Sequence, residues 1–220
     1  MYLLIRVFLF GFVFFFACSF AVVVFKIKKR DKWAILTVVT AVLLGIGSTI
    51  LDVENWFYTF PTPEAALHYT DSGVVMMAVD GKESTLVFYQ NESTALKSLP
   101  RTEKGWKMSG AIGLLHEVSH SRNREIYVTI DRHKNTDDYY VSIWDAYNKL
   151  GENPEIYDNC SSSFSCYRSE DDPEPLFDIT FSSTFHCAYV SGLDIEEYEL
   201  FVNGEQFTFS PNRFWPLPFE

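Results

Sequence analysis

Two long apolar runs open the chain: residues 7–25 and 33–51 contain no charged side chain. Each approaches the roughly 20 residues that an α-helix needs to cross about 30 Å of hydrocarbon, so the pattern predicts spanning helices at about 3–25 and 33–51. Between them, Lys26-Ile-Lys-Lys-Arg-Asp-Lys32 is strongly basic, and a short basic loop at 26–32 stays cytoplasmic under the positive-inside rule. The expected localisation is the cell membrane, multi-pass, held in lipid by two helices with the N-terminus and the C-terminal domain outside. A cleaved signal peptide fits less well, because the apolar core exceeds the usual length of about 7–15 residues and no small-x-small site precedes the basic loop.

Beyond residue 60 the pattern changes to short, turn-bounded segments. In Phe60-Pro-Thr-Pro-Glu-Ala-Ala-Leu67, Thr62 suits an N-cap, Pro63 the first helical position and Glu64 the positive helix end, which predicts a short helix of about two turns. The β-prone runs 74–79 and 85–89 flank Asp80-Gly-Lys-Glu-Ser84 as a hairpin. Alternating residues at 125–131 and 139–144, around the polar turn 133–138, predict a second. A third, 198–202 with 206–209, closes on Asn203-Gly204, the pair suited to a type I′ turn. Residues 151–175, rich in Ser, Asp, Glu and Pro, are expected to be a surface loop, and 176–190 return to strand composition. The fold class is therefore two N-terminal transmembrane α-helices (anchor, 1–59) followed by an α+β, mainly antiparallel β extracytoplasmic domain (60–220), long enough to bury its own core.

The Phe60-Pro-Thr-Pro-Glu-Ala65 entry, the Gly105-Trp-Lys107 step, the hairpin ending in Trp144 and the Val202-Asn-Gly204 turn with Phe214-Trp215 resemble small, uncharacterised membrane-anchored extracytoplasmic proteins of Bacillus-type Gram-positive bacteria. The likeness runs through most of residues 60–215. It implies location and architecture and carries over no catalytic residue. The chain departs from the common pattern in having two apolar anchors where one is usual.

Charge narrows the partners. Residues 52–220 hold 12 basic and 28 acidic side chains, a formal charge of −16 within a whole-chain −11. Binding phosphates needs a Lys/Arg surface, so no nucleic acid is expected as a partner.

The sharpest chemical pattern is His116-Glu-Val-Ser-His120. On a helix, His116 and His120 share one face and hold zinc while Glu117 acts as general base, the H-E-x-x-H arrangement of zinc metallopeptidases. That reading needs residues 110–122 to be helical, and only 109–124, with Gly110 and Gly113, are available for it. It also needs a third ligand; Glu152 and Glu155 lie in loop-like sequence. Cys160 and Cys166 bracket Ser161-Ser-Ser-Phe-Ser165 and are expected to form a disulfide outside the cytoplasm. Cys187 is then a buried free thiol, unless it pairs with one of them. Glu170-Asp-Asp-Pro-Glu174 reads as a solvated acidic loop ahead of a calcium site. Asp194, Glu196, Glu197 and Glu199 show no spacing that singles out an acid/base pair. No phosphate loop or G-x-S-x-G is present. Tyr127, Tyr139, Tyr140, Trp144, Phe181 and Phe207 fall at strand spacing and are expected in the core or in cross-strand pairs.

With no complete catalytic set, no catalytic, cofactor-binding or metal residue is assigned and no cofactor is expected. The expected function is a non-enzymatic interaction, sensing or envelope accessory with a protein partner in the envelope. The alternative is a membrane-tethered zinc metallopeptidase with His116 and His120 as ligands and Glu117 as base.

Overall fold

The computed structural model describes residues 53–91, 94–109, 113–122, 126–145, 147–168 and 183–209, with 8, 11–12, 14–20, 23, 35, 38–40 and 42 nearer the N-terminus. In chain order the strands are β1 (Val74–Asp80), β2 (Ser84–Gln90), β3 (Thr94–Thr102), β4 (Gly105–Trp106), β5 (Leu114–Arg122) and β6 (Ile126–His133). They continue with β7 (Asp138–Asp145), β8 (Ile156–Asp158), β9 (Ser165–Arg168), β10 (Thr184–Ser191), β11 (Glu199–Val202) and β12 (Glu205–Thr208). The chain divides into two compact units, residues 1–72 with 104–111, and 73–103 with 112–220.

In the first unit, helix α1 (Pro63–Thr70) begins as its sequence dictates. The Thr62 hydroxyl accepts the Ala65 N–H at 3.2 Å, Pro63 opens the helix and Ala66 and Leu67 are buried. Phe60 and Trp106 exchange backbone hydrogen bonds of 2.7 and 2.9 Å. The Asn55 side chain grips both backbone groups of Met108, donating to its carbonyl at 2.9 Å and accepting from its N–H at 2.8 Å.

The second unit is built from antiparallel sheets. Strands β1, β2 and β3 form a meander. A five-stranded sheet has the order β5-β6-β7-β10-β9, and a three-stranded sheet the order β12-β11-β8. Because successive strand residues point to opposite faces, the five-stranded sheet buries two separate sets of side chains. One face, with Val128, Ile130, Val141, Ile143 and Val190, packs against Leu200, Val202 and Phe207 of the three-stranded sheet. The other, with Tyr140, Phe185 and Cys187, packs against Val79 and Leu86 of the meander.

A polar knot fixes the meander to that second face. Buried Asp138 accepts hydrogen bonds from the Glu83 N–H (2.7 Å), the Ser84 hydroxyl (2.8 Å) and the Tyr189 hydroxyl (2.9 Å), and Ser84 is also 2.7 Å from the Tyr140 hydroxyl. The last hairpin turns on Asn203 (φ 50°) and Gly204 (φ 77°), the positive-φ pair that a type I′ turn requires.

Two expectations are corrected. Among the described residues no helix is long and apolar enough to cross a membrane, so spanning helices at 3–25 and 33–51 are not supported. With the spans go the multi-pass placement and the assignment of the N-terminus and C-terminal domain to the outside, which rested on them; the basic loop 26–32 lies outside the described residues. The fold class is also corrected: the described chain is mostly antiparallel β-sheet with only short helices, because sheets rather than a helical layer cover both faces of the central sheet.

Candidate functional site

The His116–His120 motif lies on β5, a strand, with a β-bulge between His116 and Val118. Its neighbours on β6 separate its parts. His116 Nδ1 is 2.8 Å from Asp131 Oδ1, and the Thr129 hydroxyl donates to Asp131 Oδ2 at 3.0 Å. Glu117 instead lies 2.8 Å from the Arg132 Nε, and the Arg132 guanidinium stands 5.7 Å from the centre of the Tyr139 ring. Asp131 and Arg132 are consecutive strand residues and face opposite sides, so Glu117 is directed away from His116. A general base serving a metal on His116 would have to share its side. The helix that the zinc peptidase reading requires is replaced by sheet.

His120 pairs through its backbone with Val128, and its side chain lies outside the described residues. Glu155 sits in the loop before β8, where its N–H donates to Asn203 Oδ1 at 2.9 Å. Among the described residues no group of three His, Cys, Asp or Glu side chains gathers into a metal site. What His116 and Asp131 do form is an oriented imidazole: the hydrogen bond to Asp131 holds the His116 pKa above its ordinary 6.5, against the opposing effect of burial.

The expected Cys160–Cys166 disulfide is also corrected. Both are exposed free thiols, and Cys187 is a buried one. Cys160 follows β8 in the three-stranded sheet, whereas Cys166 lies on β9 opposite His186 in the five-stranded sheet, so the two flank a crossing between sheets. Cys187 accepts from the Ser142 hydroxyl at 3.5 Å, and burial pushes its pKa up to about 12, which keeps it a thiol.

Two further buried acids shape loops. Buried Asp145 accepts from the backbone N–H groups of Lys149 (2.8 Å) and Leu150 (2.7 Å), shaping the loop after β7. Buried Asp158 accepts from the Tyr198 hydroxyl at 2.9 Å and the Ser162 N–H at 2.8 Å. Asp194 and Glu196 line a shallow, open depression of about 500 Å³ with Tyr139, Gly192, Leu193 and Ile195. The acidic run at 170–174 lies outside the described residues.

A different feature organises the meander-facing side of the five-stranded sheet. Tyr127 of β6, Trp144 of β7, Phe185 of β10 and Tyr167 of β9 stand directly opposite one another in register, forming one aromatic row across four strands. Phe88 of β2 stacks on Phe185 with ring centroids 4.3 Å apart and meets Tyr167 at 5.7 Å, closing over that end. The other end is more exposed. Phe185 is 5 % exposed, but Trp144 is 46 % and Tyr127 36 % exposed, their rings 6.1 Å apart.

Strand spacing led the sequence reading to place Tyr127 and Trp144 with the core or cross-strand pairs. They are a cross-strand pair, and the exposure was missed because it depends on how far the meander reaches. The one local signal is that Trp144 is the penultimate residue of its strand. Comparison with protein-family models, curated proteins and solved structures finds no match, so the reading of this site rests on its geometry.

Proposed function

We propose that the β-rich second unit is a non-catalytic interaction module that engages a protein partner through Tyr127 and Trp144. The supporting observation is the division of one aromatic row into a covered half and an exposed half. Two large rings held rigidly on adjacent strands offer apolar contact area at little entropic cost, the quality that makes Trp and Tyr frequent binding anchors. The strand alternation that separates Glu117 from His116 favours this reading over the zinc peptidase. Charge sets the partner's chemistry: an excess of acids, 28 against 12 basic groups in residues 52–220, favours a surface with basic groups around an apolar patch.

The test is a Tyr127→Ala/Trp144→Ala double variant of the tagged chain. It is expected to keep its circular dichroism spectrum and to lose the protein that co-purifies with the unaltered chain. Co-purification of the same protein at the same yield would overturn the proposal.

A further inference from the structure

His186 carries a buried ring nitrogen for which the described residues supply no partner. The residue is 5 % exposed, and its Nε2 makes no hydrogen bond among the described residues, although buried polar atoms are nearly always paired. Directly opposite it in register, on edge strand β9, is Cys166. Tyr167 and Phe185, one residue along on each strand, meet Phe88 on the meander side. By strand alternation, Cys166 and His186 therefore share the other face. Opposed residues on antiparallel strands hold their Cβ atoms about 4.5–5.5 Å apart, which brings thiol and imidazole within reach of one small ion. His186 forms the buried wall, and the exposed Cys166 gives the way in.

We propose that the Cys166 sulfur and His186 Nε2 form a two-coordinate site for a soft monovalent cation of the copper(I) class. Thiolate and imidazole are the donors such an ion takes, and the number of donors makes the choice. A zinc site needs at least three protein ligands, whereas two opposed donors suffice for linear coordination of copper(I). Burial keeps the imidazole neutral by lowering its pKa, so with its proton on Nδ1 the Nε2 presents a lone pair. On binding, the S–H bond of Cys166 breaks, its proton leaves to solvent and the metal bonds to sulfur and nitrogen, with no change of oxidation state. Partial burial raises the Cys166 pKa, and Arg168, two residues along the same strand and opposite Thr184, offsets only part of that, so the metal itself must displace the thiol proton.

The test uses the full chain carrying Cys18→Ser and Cys160→Ser, titrated with copper(I) against a competing chromophoric chelator. One equivalent is expected to bind, Cys166→Ser to abolish binding and His186→Gln to weaken it by about tenfold or more. Silver(I), added to the same protein prepared with isotope-labelled nitrogen, is expected to shift the ring nitrogen resonances of His186. A folded His186→Gln protein that binds copper(I) with unchanged affinity would overturn the site. So would His186 resonances that silver(I) leaves unmoved, and that second readout decides the matter alone should the glutamine variant not fold.

Discussion

A Cβ added at Gly81 would stand 2.7 Å from both Asp138 Oδ2 and the Tyr140 hydroxyl. Those atoms belong to the buried network that fixes the β1–β2 turn, so a side chain there displaces hydrogen bonds rather than filling space. Gly81→Ala is expected to cost about 2–3 kcal/mol in urea unfolding, the scale of a broken buried polar network. A loss below about 0.5 kcal/mol, typical of an inert surface site, would show that the network does not constrain the turn. The histidines divide by environment. His116 has a folded pKa raised by its Asp131 hydrogen bond, so its contribution to stability is fully present below the unfolded value of 6.5 and is lost as pH rises through the folded value. His133 and His186, lowered mainly by burial, act in reverse: the unfolded chain takes up protons first, and stability falls as pH drops below 6.5. Asp131→Asn is expected to move the His116 titration midpoint to lower pH in an NMR titration. A midpoint that does not move would remove Asp131 as the cause.

At the scale of elements, the three hairpins and α1 were legible because each carries its own local chemistry: alternation, a Thr cap followed by Pro, or an Asn-Gly turn. Strands β3, β4, β5, β8 and β9 were not. The polar His116-Glu-Val-Ser-His120 segment becomes sheet because β6 pairs with its backbone, and the bulge interrupts the alternation that would have revealed a strand. Short β8 and β9 lie in a Ser- and Pro-rich segment that reads as loop until β11 and β10 offer pairing partners. The same limit hid the candidate site, since the row Tyr127–Trp144–Phe185–Tyr167 exists only once four strands are in register. Its two halves are expected to differ energetically. Phe185→Ala should cost about 3–5 kcal/mol, as for a buried aromatic, and Trp144→Ala less than about 1 kcal/mol. Chemical denaturation of the two variants checks this; equal losses would make the exposed rings part of the core.

For the whole molecule, hydropathy and charge bear on different questions. The apolar runs at 7–25 and 33–51 led to spanning helices, and among the described residues no helix is long and apolar enough to cross a membrane. The acidic balance is a property of composition alone and bears directly on which surfaces the protein attracts. The most direct measurement is site-specific photo-crosslinking in the source cells, with a photoreactive phenylalanine analogue placed at position 144 and, as a control, at Val74, which is 66 % exposed on β1. A discrete crosslinked protein from position 144, lost on Tyr127→Ala and absent from position 74, is the expected result. No crosslink at 144, or the same product from both positions, would contradict recognition through the exposed aromatic pair.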